Sequence, residues 1–125
     1  MFAFLRCLFS PGSPPDRHER WKQWRRSLRT RSAEQYTQLW AAELLPQPQT
    51  DTILREVAAI MGLRPALIYP TDDIFLILYN ASTDLREVEA IIYLEEQLPI
   101  DFEQLYNTHA SSGLPVAELF KITMG

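Results

Sequence analysis

Four groups of side chains in this sequence have types and spacing that could do chemistry. Glu89, Glu95 and Glu96 fall within two helical turns of the run STDLREVEAIIYLEEQLPIDF, residues 82–102. Carboxylates placed in this way can meet a basic partner, steering encounter and orientation more than they add affinity. Asp72 and Asp73 are adjacent and could hold a cation, although a turn followed by a helix cap uses the same pair. His109 lies close to Ser111 and Ser112, a base and a nucleophile by type, but Ser-Ser-Gly is a loop signal and sequence neighbours are poor evidence for a triad. The stretch RWKQWRRSLRTR, residues 20–31, interleaves arginine with tryptophan. Its residues Arg20, Trp21, Trp24, Arg25, Arg26 and Arg29 could grip phosphates and stack on bases, or seat at an anionic membrane surface. His18, His109 and the single cysteine, Cys7, lie in three separate segments without metal-ligand spacing. Four scattered glycines form no phosphate-binding loop. The residues therefore predict a binding protein, with no metal and no catalytic site.

The elements that must hold these groups can be read from their punctuation. In the acidic run, Asp84 or Thr83 can cap a helix, with Glu87 three residues after Asp84. At 100° per residue Leu85, Val88, Ile91, Ile92 and Leu98 share an arc of about 140°, the expected buried face. Glu87 and Glu95 fall near or inside that side, while Arg86, Glu89, Glu96 and Gln97 point away. Pro99 ends the helix, because it lacks an amide proton and disfavours helical geometry at Leu98. Acids in the first turn suit the helix dipole; Glu95 and Glu96 near the other end oppose it. A pair that opposes local stability invites a functional reading, with a solvated face as the plain alternative.

Upstream, Met1–Phe9 is short and apolar, without the clean features of a secretory signal. It could pack on the domain, dip into a membrane surface or trail as a tail. SPGSPP, residues 10–15, is a linker by composition. Asp16 with Glu19 marks one helix start, and Ser32 with Gln35 a second. Trp21, Trp24 and Leu28 give the first helix its stripe; Tyr36, Leu39, Trp40 and Leu44 give the second, stopped by Pro46 and Pro48. Gln47–Gln49 is a second linker-like break. Ile53, Leu54, Val57, Ile60 and Met61 predict a helix ending at Gly62. Residues 63–70 form a loop with two prolines. Residues 73–80, DIFLILYN, suit a buried strand or a buried helical turn equally. Short helices are expected over 102–106 and 115–122, with Pro115 tolerated in a first turn.

The chain of 125 residues is 46% hydrophobic, enough for one small domain with an appendage. One cysteine excludes an internal disulfide. No apolar run is long enough to predict a membrane-spanning helix. The charge is split. Residues 1–31 hold eight basic and two acidic residues, a net +6, and the remaining 94 hold four and fourteen, a net −10. Such a chain can bind two oppositely charged partners or fold one half onto the other. Docking of the basic half on the acidic half, burying Trp21 and Trp24, is the favoured expectation, since a core of about 70 residues alone is small.

From Asp51 onward the order is long helix, long loop, acidic helix, short helix, final helix. VAAIMGL (57–63), then Asp72, Asp73 and Phe75, then DLREVEAIIYLEEQLPIDF (84–102) carry a resemblance to the acyl carrier protein family over about residues 51–123. The matching positions in the last run include Leu85, Val88, Glu89, Leu94, Glu95, Glu96, Leu98 and Ile100. The resemblance implies an all-α architecture: a tail and linker (1–15), a basic helical arm (16–49) and a four-helix carrier-like bundle (50–125). It also implies a phenylalanine, Phe75, plugging the core from the loop. In the family a serine opening the second helix carries 4′-phosphopantetheine. Here that position is Asp84, whose carboxylate cannot form the phosphodiester. Ser82 is the fallback if the alignment slips, and the cofactor is expected only in that case.

What the resemblance then implies is binding. Glu89, Ile92, Glu95 and Glu96 form the expected contact set for another protein with a basic docking surface, with Ile92 as apolar anchor. The expected function is a non-enzymatic bacterial adaptor or regulator in the cytoplasm, or peripheral to the inner membrane. The alternatives are a working carrier modified on Ser82, and a small immunity or antitoxin protein that blocks a basic active site. Nucleic acid or an anionic membrane bound through the arm is the lesser expectation.

Overall fold

The computed structural model describes residues 15–79 and 85–124, with side chains from Arg17 onward. The apolar tail, Ser82 and Asp84 lie outside the described residues. Seven α-helices make up the described chain: α1 (Pro15–Ser27), α2 (Ala33–Ala41), α3 (Gln47–Met61), α4 (Ile74–Ile77), α5 (Arg86–Gln97), α6 (Phe102–His109) and α7 (Val116–Met124). Single 3-10 turns at Leu28–Thr30 and Pro65–Leu67 connect them. The class is all-α, and residues 74–77, ambiguous in sequence, are helical.

Local punctuation sets most of these boundaries. The Ser32 side chain accepts the Gln35 amide at the start of α2. Gly62 closes α3 in the left-handed region, φ 71°, where a Cβ would be unfavourable. The Asp73 carboxylate accepts the Phe75 amide to start α4, so the Asp72-Asp73 pair is a turn and cap. Among the described residues no cluster of potential ligands could hold a metal ion. Leu98 is extended before Pro99, and α5 stops there.

Besides α1, which begins at Pro15 and so holds the expected cap residue Asp16 within it, two boundaries differ from expectation. Residues 47–49 are the first turn of α3, not a linker. Pro46 and Pro48 are tolerated because the first amides of a helix have no intrahelical acceptor. Gln47 Nε2 also donates to the Trp40 carbonyl, 2.9 Å away, and Thr50 is fully buried. A continuous helix therefore crosses the boundary expected between 49 and 50. The second difference is α2, which ends at Ala41. Leu44 takes φ 58° and is 91% exposed, and Leu39 is exposed too. The stripe of α2 reduces to Tyr36, half-buried, and Trp40, 1% exposed.

Arm and acidic half share one core. Trp24, Leu28 and Trp40 are buried in the same cluster as Ile53, Leu94, Phe102 and Phe120. Trp40 Nε1 donates to the Ile68 carbonyl at 2.8 Å, and its ring packs 6.0 Å from Phe120. The Arg31 guanidinium grips the Asp72 carboxylate through both nitrogens, donates to the Leu67 carbonyl at 2.9 Å and lies over the Tyr69 ring. Arg20 pairs with Asp73 at 3.4 Å. Arg17 lies over Tyr79 and Tyr106, and Trp21 tilts against Tyr79. The favoured expectation, folding of one charged half onto the other, is met in the burial of Trp24, while Trp21 is only half-buried.

Candidate docking surface on the acidic helix

Helix α5 is fixed by one buried stripe. Glu87, Ala90, Ile91, Leu94 and Leu98 are buried, at spacings of three and four residues. They subtend about 100° of the helix. α5 packs along α3, and each carries an alanine with no exposure, Ala90 and Ala58. Small residues there let two helix axes approach closely.

This face is rotated by about a quarter turn from the expected one. Leu85, placed in the core by its periodicity, is 63% exposed, and Ile92 is 41% exposed. Val88 is half-buried. The expectation ranked residues by hydrophobicity and passed over Ala90 and Leu94, both of which the fold buries. The helix begins at Arg86 with Leu85 as its cap residue, and Leu85 supplies no side-chain cap. The cap expected from Asp84 or Thr83 falls outside the described residues.

On the outward side, Leu85, Glu89, Ile92 and Glu96 follow at spacings of four, three and four, opposite the buried stripe. All four are exposed, and neither Glu89 nor Glu96 has a basic partner among the described residues. Tyr93, half-buried beside this strip, has its phenol pKa raised by burial and then by the negative charge of Glu56 on α3. Glu56 is exposed, so the acidic surface continues from α5 onto α3.

Glu95 stands apart from the set it was expected to join. It is half-buried, and its carboxylate accepts the Phe102 amide at 3.2 Å. Phe102 is the first residue of α6, whose following amides are capped by Asp101. The charge that opposes the end of α5 thus favours the start of α6. Glu96 has no such structural use.

The basic-arm residues divide as well. Trp24 is 8% exposed and belongs to the core, and Trp21 is half-buried. Arg20 is committed to Asp73. Arg25, Arg26 and Arg29 are exposed, with Arg25 5.7 Å from the centre of the Trp21 ring. His109 and Ser112 share a turn in which the Ser112 hydroxyl meets the His109 carbonyl, with no base–nucleophile contact. Sequence reasoning missed Leu85 as a surface residue and Arg64 as a neighbour of the arm. Only the tertiary fold places either.

No protein-family model, curated protein or solved structure matches this chain. Among the described residues, no helix is long and apolar enough to cross a membrane.

Proposed function

We propose that the protein is a non-enzymatic interaction module that docks a basic protein partner on the outward face of α5. The observation that carries this reading is the strip Leu85–Glu89–Ile92–Glu96, in which two exposed aliphatic side chains alternate with two carboxylates that have no basic partner among the described residues. Single exposed aliphatic residues are ordinary. Two on one helical line, flanked by like charges that gain nothing from the fold, fit an anchor-and-steer surface. The partner this fits has an apolar recess for Ile92 and lysine or arginine around it.

We propose further that α3, α5, α6 and α7 are an acyl-carrier-like bundle, with α1 and α2 as an arm packed onto it. The helix order and the burial of Phe75, edge-on to Phe102 and Tyr106, support this. The family's prosthetic-group position is Asp84, which cannot carry a phosphodiester, so no reaction step runs through that group. The role is adaptor or regulator, in a bacterial cytoplasm.

A photo-crosslinking side chain at position 92 tests the proposal, with a second at Thr108 on α6 as control. Crosslinks from position 92 to one protein, absent from position 108 and lost when Glu89 and Glu96 are changed to lysine, support it. Equal crosslinking from both positions contradicts it. So does a mass gain of one phosphopantetheine on Ser82 after co-expression with a phosphopantetheinyl transferase, which would make the chain a working carrier.

A further inference from the structure

On another face, the ends of α1 and α3 border an open groove of about 440 Å³. Its rim carries Arg25, Arg26, Arg29 and Arg31 from the arm, with Arg64 facing them from the loop after α3. Leu28, Leu63 and Leu67 give it an apolar floor. No carboxylate lines it. Arg31 is engaged with Asp72, but Arg25, Arg26, Arg29 and Arg64 have no acidic partner among the described residues. Gly62 forms one edge, and a Cβ there would stand 3.3 Å from Nη1 of Arg86. The bare glycine therefore lets a further guanidinium come close to the groove.

Gathering like charges in this way opposes folding unless something offsets it. The ends of α1 and α3 converge here, and each helix end contributes roughly half a negative charge. With Asp72 counted, five rim arginines still leave an excess of about three positive charges. We infer that the groove binds a small anion bearing adjacent phosphate groups, a polyphosphate. Guanidinium forks match phosphate oxygens in pairs. The volume lies within the range of small-ligand sites. The rest of the chain argues for a compact ligand over an extended one. Residues 32–125 carry a net −10, so a duplex or a flat anionic membrane leaving the groove would meet like charge.

The inference does not depend on the α5 proposal, and its test leaves α5 untouched. The full chain is titrated with inorganic triphosphate by calorimetry at low salt. Arg29→Gln/Arg64→Gln is compared with Lys22→Gln, which removes a positive charge outside the groove. The expected result is saturable binding at one per chain, weakened at least about tenfold by the arginine pair and unchanged by Lys22→Gln. Adenosine triphosphate distinguishes the sources: tighter binding means the apolar floor takes a base, and equal binding means that phosphates alone are read. No saturable binding, or equal loss in both variants, overturns the inference. So does binding to duplex DNA or phosphatidylserine vesicles that triphosphate fails to displace.

Discussion

Asp72 and Arg31 form a largely buried charged pair that ties the arm to the rest of the fold. Arg31 has a side-chain exposure of 15% and Asp72 of 4%, and the carboxylate also accepts the Tyr69 amide at 2.8 Å. Removing one partner of a buried pair leaves the other desolvated, which costs about 3–5 kcal/mol. Arg31→Ala is expected to lose stability on that scale in urea unfolding, and Arg31→Lys to recover only part, since an ammonium cannot make the paired contact. Tyr36 gives a second residue-scale prediction. Its hydroxyl donates to Asp51 Oδ1 at 3.1 Å, and burial, reinforced by that carboxylate, pushes its pKa to about 12 from 10.0. The folded state thus holds the phenolic proton after the unfolded chain has begun to release it. The contribution is full below pH 10 and is lost as pH rises to about 12. Stability should fall across that window, and Tyr36→Phe should lessen the fall. A slope unchanged by Tyr36→Phe would contradict this reading of the contact.

At the scale of elements, the two glutamates at the end of α5 should separate by experiment. Glu95→Ala removes the bond to the Phe102 amide and is expected to cost about 1 kcal/mol, as the loss of a helix cap does. Glu96→Ala touches nothing and should stay within about 0.5 kcal/mol in the same melting experiment. Equal effects would mean that Glu95 is not a cap. The join between α4 and α7 gives another test. Gly113 has φ 81°, and a Cβ there would lie 2.9 Å from Asp73 Oδ2. Asp73 at once caps α4, accepts the Leu114 amide and meets Arg20. Gly113→Ala should therefore cost about 1–2 kcal/mol or more from backbone strain alone. Sequence exposed those features whose causes are local. Ser32, Gly62 and Pro99 act within one turn of the chain and sit where their chemistry predicts, while the Gln35 side chain, expected to return the Ser32 cap, instead accepts the Tyr69 hydroxyl. The buried face of α5 was not legible, because a small residue such as Ala90 becomes core only through tertiary packing. Pro46 and Pro48 misled in the same way, since a proline that ends one helix can as readily begin the next.

For the whole molecule, the division of charge already indicated that the two halves could meet. It did not show that only part of the basic stretch would be used. Arg17, Arg20 and Arg31 hold the arm against the acidic half, while Arg25, Arg26 and Arg29 remain outside that junction. The acidic half is likewise only partly neutralised, and the outward line of α5 keeps its charge. The central claim is that this line is a docking surface and not merely a solvated one. The direct measurement is the dissociation constant for the protein crosslinked from position 92, compared between the unaltered chain, Glu89→Lys/Glu96→Lys and Ile92→Ala, with unfolding followed in parallel. The account predicts weakening of at least about tenfold in both variants, with stability changed by less than about 1 kcal/mol. Affinity unchanged by the charge reversal and by Ile92→Ala would contradict it, leaving the acidic face of α5 a solvated surface.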